Sequence, residues 1–242
     1  MRWDDRLAIR ARWKSLPSGV LQNVAAGTRV PLRRYANLMI SISDNTAADH
    51  LIHRLGRRAV EAQMTRFGMA RPLLDTPFLT TRELFVLTGS ADRSLAPRYR
   101  ALAPEARRRF LTRRVDRVPL SSARGWTRPR GTGSLEWFAS AADLCRAYAG
   151  LGRQAHSQPP VARALSISDG GLALSRARWP SVWFKGGSEP GVLTLAYRLR
   201  ARDGRTYVVA ALANDRRRPF RELAAGAELV SLVRGAAALL RP

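Results

Sequence analysis

The sequence predicts an α+β protein in which a helical part precedes a small antiparallel sheet and a closing helix. Apolar residues recur at helical spacing from Pro31 onward, and helix-capping pairs follow at several later points. Toward the carboxyl end the period changes to strand-like runs, and Asp203-Gly204 between two of them is a strong hairpin signal. The Ala- and Leu-rich segment 220–240 then returns to helical spacing. A chain of 242 residues can bury one core, or two lobes that share a cleft.

The predicted helices follow from their start and stop signals. Pro31 can open the first helix as its first residue. The second is expected to start at Thr46, with Asn45 or Asp44 as the N-cap, and to end near Gly56. The other predicted helices cover 57–67, 83–88 after a capping box at Thr80, 104–114, 141–151 and a short segment from Pro159.

Three strands are predicted after residue 180, over Val182–Lys185, Leu193–Leu199 and Tyr207–Leu212. Their apolar and aromatic runs are bounded by Gly, Pro and Asp, which is typical of short antiparallel strands. By contrast, Val115–Leu135 is rich in Pro, Gly, Ser and Arg without periodicity, and we expect a long surface loop there.

The basic charge does not by itself indicate a nucleic-acid protein. The net charge is +24, yet all but two of the 42 basic residues are arginines scattered along the chain, the exceptions being Lys14 and Lys185. We expect salt-sensitive attraction to polyanions and no specific nucleic-acid partner.

No apolar run is long enough for a membrane span, and the first residues lack a secretory-signal pattern. Cys145, at helical spacing, is expected to be a buried packing thiol.

Two short motifs carry candidate chemistry. Ser43-Asp44-Asn45 lies between an apolar run and a helix start, and Lys185-Gly186-Gly187-Ser188 follows the first predicted strand. Each has a simpler interpretation, because Ser, Asp and Asn are common N-caps and a lysine at a strand end is usually solvated. A lysine in so arginine-rich a chain nevertheless indicates a point charge where a planar guanidinium would not fit.

The order of these motifs resembles that of the penicillin-recognising serine hydrolases, in particular class A β-lactamases and related proteins. The resemblance runs from about Leu32 to Leu240 and implies a β-lactamase/transpeptidase-like fold. It divides the chain into a remnant of an N-terminal α/β region at 1–30, a helical lobe at 31–168 and an α/β lobe at 169–242. The expected sheet lacks the first two strands of the family.

The resemblance also implies roles for individual residues. Ser43 and Lys185 would be catalytic, Ser43 relaying a proton to the leaving amine and Lys185 supplying positive charge beside it. Asn45 would bind the side-chain amide of the substrate, Asp44 would be structural and hold the turn, and Ser188 would lend its backbone N–H to the oxyanion hole. The remaining expected substrate-binding residues are Gly186 and Gly187; Gly186 stands where the family commonly has Thr.

The nucleophile of the family is the serine of a Ser-x-x-Lys motif, which this sequence does not contain. The deacylating glutamate of class A enzymes has no counterpart between Val115 and Leu135 either. N-terminal truncation and degeneration both fit the missing nucleophile, and truncation is the expectation that we favour. We therefore expect poor solubility, and no activity from this chain through the usual acyl-serine.

Two functions remain open. The first is a serine hydrolase of the β-lactamase kind, acting on a β-lactam or peptidoglycan-like small molecule, monomeric if complete. The second is a non-catalytic protein of the same fold that binds cell-wall fragments or anionic partners. No cofactor is expected, and His50 and His53, three apart on one helix, are expected to be solvated and not to bind metal. Family members are usually exported, but the compartment is not predicted.

Overall fold

The computed structural model describes residues 2–240 and begins with a small two-stranded sheet. Strand β1, Arg6–Ala8, pairs antiparallel with β2, Arg29–Pro31. The helices then follow as α1 Leu32–Ser41, α2 Asn45–Leu55, α3 Arg57–Arg66, α4 Thr81–Gly89, α5 Leu95–Arg100, α6 Pro104–Arg113, α7 Ala141–Ser157, α8 Pro159–Leu165 and, after the second sheet, α9 Glu222–Leu239.

Local capping signals located most helix starts correctly. Asp44 is the N-cap of α2, and Thr80 and Glu83 form the predicted capping box of α4. Three features differ from the prediction: α5 was not expected, α7 continues six residues past Leu151, and Pro31 is the extended N-cap of α1 and the last residue of β2, not the first helical residue. The longer helix passes through small residues that allow close packing, since a Cβ on Gly150 would lie 2.4 Å from the Phe67 ring.

The second sheet confirms the predicted antiparallel arrangement of three strands, in the order β3-β4-β5. They cover Ser181–Glu189, Val192–Arg200 and Thr206–Asn214. The first strand is longer than predicted, because Gly186 to Glu189 remain paired with β4 up to the hairpin turn. Strand β3 therefore carries the whole of the Lys185-Gly186-Gly187-Ser188 motif.

Helices cover both faces of this sheet. On one face α9 packs Val233 and Ala237 against Tyr197 and Leu199. On the other, Tyr148 of α7 and Leu165 of α8 meet buried and half-buried residues of all three strands. A separate apolar cluster lies in the helical part, around α4 and α6. The candidate site lies where the joint between α1 and α2 meets β3.

Helix α9 leaves large apolar side chains in solvent. Leu223, Leu232 and Leu239 are 92%, 66% and 83% exposed. Strand β5 beside it is an edge strand of the described sheet. Exposed apolar helix faces and long edge strands both favour self-association.

We therefore predict that the double variant Leu223→Gln/Leu232→Gln self-associates less than the wild type. Light scattering over a protein concentration series measures the effect. Glu228→Gln, a polar change on the same helix, serves as the control. Equal scattering from the double variant and the wild type would show that this face does not drive association.

No helix within residues 2–240 combines the length and the hydropathy required to cross a lipid bilayer.

Candidate functional site

The Ser43-Asp44-Asn45 motif occupies the sharp joint between α1 and α2. Helix α1 ends at Ser41, and Ser43 takes a left-handed backbone conformation with φ of 53°. Such a φ is uncommon for a residue with a side chain. Asp44 then returns to extended geometry and caps α2. This reversal leaves Ser43 half-buried at the surface while Asp44 turns inward.

Asp44 holds this joint together from inside the protein. Its carboxylate is fully buried and accepts hydrogen bonds from three backbone N–H groups, those of Ala47 at 2.8 Å, Val20 at 2.7 Å and Leu21 at 2.9 Å. The loop reaches the carboxylate closely because residue 19 is glycine: a Cβ there would lie 2.3 Å from Asp44 Cγ. Asp44 thus ties the loop before β2 to the start of α2.

Asn45 makes a second tie to the same loop. Its side-chain Nδ2 donates to Leu16 O at 3.1 Å, and its backbone N–H donates to Ser18 O at 3.1 Å. One N–H of the amide and the oxygen remain available for other partners. The side chain is half-buried.

Lys185 reaches this joint from β3. It shares with Trp183 the sheet face toward α7 and α8, because side chains alternate along a strand. Its Nζ lies 2.6 Å from Ser43 Oγ and also donates to Gly186 O. Ser43 and Lys185 are 142 residues apart in sequence, so only the tertiary fold brings them together.

Burial lowers the pKa of the Lys185 amine below its usual range. A charged ammonium is destabilised when water is removed from around it. None of the ion pairs formed within residues 2–240 includes Lys185, so no carboxylate offsets this cost. The amine therefore loses its proton more readily than an exposed lysine does, and an anionic partner would offset the cost of its burial.

The rest of the motif continues along β3 and stays paired with β4. A Cβ on Gly186 would lie 2.9 Å from the Phe184 ring, and one on Gly187 would lie 3.2 Å from Thr194 Oγ1. Ser188 points to the opposite sheet face, where its Oγ donates to Glu222 of α9 at 2.5 Å. The Ser188 hydroxyl is therefore bonded to Glu222 on the face opposite Ser43, and only the Ser188 backbone is free to bind a ligand beside Ser43.

The structure adds Ser18 to the residues that the sequence placed at this site. Ser18 Oγ donates to Ser43 O at 2.7 Å and so fixes the carbonyl side of the strained residue. The Ser43 N–H itself has no acceptor among residues 2–240. A turn over Leu16–Gly19 could be recognised from its Pro, Ser and Gly, but not its contact with Ser43.

The expectation that His50 is solvated is wrong. His50 is fully buried between Trp13 and Tyr35, with Nδ1 against Thr46 O at 2.7 Å and Nε2 accepting from Arg10 N at 2.9 Å. Burial lowers its pKa, and an Nε2 that accepts a hydrogen bond belongs to a neutral ring.

Two further side chains differ from their predicted environments. His53 was expected to be solvated, but it stacks on Trp13 with ring centroids 4.8 Å apart. Cys145 was expected to be buried and is only half-buried. Within the described residues no group of three or more His, Cys, Asp or Glu side chains could hold a metal ion.

Comparison with known proteins agrees with this fold. Residues 1–115 match the Beta-lactamase2 family, described as the "Beta-lactamase enzyme family". A β-lactamase from Sphaerobacter thermophilus aligns with 98% of this chain and 73% of its own, at 21% identity and a TM-score of 0.60. PBP-A aligns with 98% of this chain and 73% of its own, at 18% identity and a TM-score of 0.60. The chromosome-encoded β-lactamase of Vibrio parahaemolyticus aligns with 99% of this chain and 77% of its own, at 13% identity and a TM-score of 0.61.

No curated protein sequence matches the chain closely. At these identities the solved structures establish the fold alone. The chain therefore has the β-lactamase-like fold, and its first 115 residues are related in sequence to the β-lactamase family.

Proposed function

We propose that this β-lactamase-like chain binds a small acyl compound, a β-lactam or a peptidoglycan-like peptide, in the crevice between Ser43 and Lys185. The single observation that supports this most is the 2.6 Å contact between Lys185 Nζ and Ser43 Oγ, formed across two parts of the chain. A buried amine without a carboxylate partner is suited to an anionic group, and such substrates carry a carboxylate. The crevice would lie between a helical lobe at 31–168 and an α/β lobe at 169–242.

The chemistry that we propose is that of an acyl-transferring serine hydrolase. Lys185 would hold the carboxylate of the substrate and lower the cost of proton transfer through the Ser43 hydroxyl. The free amide N–H of Asn45 would donate to the side-chain amide of the substrate. The backbone N–H of Ser188 would polarise the carbonyl, and Gly186 and Gly187 would let the substrate approach the strand closely.

Binding and turnover are separate in this proposal. Because the sequence holds no Ser-x-x-Lys motif, we propose that the chain does not hydrolyse β-lactams through the usual acyl-serine of the family. A non-catalytic role, binding cell-wall fragments or other anionic partners, is favoured by a second observation, the net charge of +24. The two functions differ in salt dependence, because binding that rests on net charge weakens steeply as salt increases.

Equilibrium binding tests the proposal. We expect a penicillin to raise the melting temperature of the wild-type chain at 0.15 M salt, since a ligand of the folded state stabilises it. Lys185→Met is expected to weaken that binding at least tenfold, whereas Lys14→Met, a change at the other lysine, leaves it intact. Equal binding by both variants would contradict the proposed site. Loss of wild-type binding at 0.5 M salt would favour the charge-driven alternative.

A further inference from the structure

We propose that Ser43 is itself an acyl acceptor in this chain, with Lys185 as its general base. The two side chains would form a Ser-Lys dyad that is acylated by activated esters and by other acyl or phosphonyl electrophiles. This inference rests on the proposed function, because it places the reacting carbonyl in the same crevice. It goes further for electrophiles without a carboxylate, toward which Lys185 would act as a neutral base and not as an anion-binding ammonium, and it assigns covalent chemistry to Ser43 in place of proton relay alone.

The first support is the geometry of the pair. A nucleophilic hydroxyl needs a base within about 2.6–3.2 Å. Lys185 Nζ lies 2.6 Å from Ser43 Oγ, while its second contact, to Gly186 O, holds the amine in place. A neutral amine has two N–H donors and one lone pair. It can therefore donate to Gly186 O and accept the Ser43 proton at the same time.

The second support is that the amine has no competing acid. Asp44 is adjacent to Ser43 in sequence, but its carboxylate is directed inward onto the N–H groups of Val20, Leu21 and Ala47. Burial without a counter-charge lowers the pKa of Lys185, which increases the fraction present as free base near neutral pH. Serine activation by lysine is a known variant of the catalytic triad.

The third support is the backbone at Ser43. Its left-handed conformation, with φ of 53°, places the hydroxyl at a sharp turn against Lys185, and its N–H has no acceptor within residues 2–240. Residues in such sparsely populated backbone conformations cluster at functional sites. A free N–H on the nucleophile residue can stabilise the oxyanion that forms during attack. Hydroxyl, base and oxyanion donor thus meet at one residue pair.

The proposed reaction balances with water as the only co-reactant. Ser43 Oγ bonds to the carbonyl carbon of the ester while its proton passes to Lys185 Nζ. The carbon–alkoxide bond then breaks, and the departing alcohol takes that proton. Water next attacks the acyl-Ser43 carbonyl, giving its proton to Nζ. The bond to Oγ breaks, Oγ recovers the proton, and the acid is released.

Covalent labelling of the full chain tests the inference. A fluorophosphonate probe, which phosphonylates activated serines with loss of fluoride, is incubated with the wild type, and fragmentation mass spectrometry locates the label. We expect the label on Ser43. Ser43→Gly, compatible with the left-handed backbone, is expected to lose it. Ser41→Ala, two residues away at the end of α1, is the matched control and should label at the wild-type rate.

Lysine variants test the base. Lys185→Met is expected to lower the labelling rate at least 100-fold, whereas Lys14→Met leaves it unchanged. Label on Ser41 or another residue, no label at all, or wild-type labelling of Lys185→Met would each overturn the dyad. The binding assay is independent: if the wild type binds penicillin but Ser43 is not labelled, only this inference fails. If penicillin does not bind, the proposed function fails.

Discussion

Asp44→Ala is expected to lower the free energy of unfolding by about 3–5 kcal/mol. The change removes one buried carboxylate and leaves the N–H groups of Val20, Leu21 and Ala47 without their acceptor. Each buried donor left unsatisfied costs about 1–3 kcal/mol. Because a whole domain is stable by only about 5–15 kcal/mol, the loss is a large fraction of the total.

Urea denaturation followed by circular dichroism measures this loss. Asp44→Asn keeps one acceptor oxygen, so we expect an intermediate midpoint. Asp92→Ala, which removes an exposed carboxylate from a surface turn around Ser94, is the control and should move the midpoint far less. A midpoint for Asp44→Ala equal to that of the wild type would show that the joint between α1 and α2 does not depend on this carboxylate.

The labelling rate of Ser43 is expected to depend steeply on pH. A protonated Lys185 cannot accept the Ser43 proton, so the rate should rise about tenfold per pH unit and level off above the pKa of the folded-state amine. Burial lowers that pKa, so the plateau should begin below the usual lysine range. Lys185→Arg is expected to lose labelling at least 100-fold at every pH, because a guanidinium stays protonated.

The same lowered pKa predicts a direction for stability. Between the pKa of folded Lys185 and the ordinary value of 10.5, the unfolded chain binds a proton that the folded chain does not. Stability therefore rises with pH across that window.

A labelling rate independent of pH, or a plateau only above the usual lysine range, would contradict the assignment of Lys185 as base.

Local signals in the sequence located many elements because their causes are local. The capping box at Thr80 and Glu83, the Asp44 cap and the Asp203-Gly204 hairpin each depend on side chains a few residues apart. The sheet order followed because consecutive strands in hairpins pair with one another. These features could be predicted without knowledge of the tertiary fold.

Features that depend on packing could not be predicted in this way. Helix α7 continues past Leu151, and at Gly150 the Phe67 ring occupies the space that a side chain would need. His50 is buried because Trp13 and Tyr35 enclose it from other elements. The role of Ser18 at the site depends on a loop that Asp44 draws toward α2.

The central claim is that a deprotonatable Lys185 amine lies against the Ser43 hydroxyl. Since the chain has only two lysines, ¹³Cε-lysine labelling gives an NMR spectrum of two side-chain signals, and Lys14→Met assigns them. We predict that the Lys185 signal titrates below the usual lysine range and that Ser43→Gly shifts its titration. A Lys185 signal that titrates within the usual lysine range and does not respond to Ser43→Gly would contradict the account.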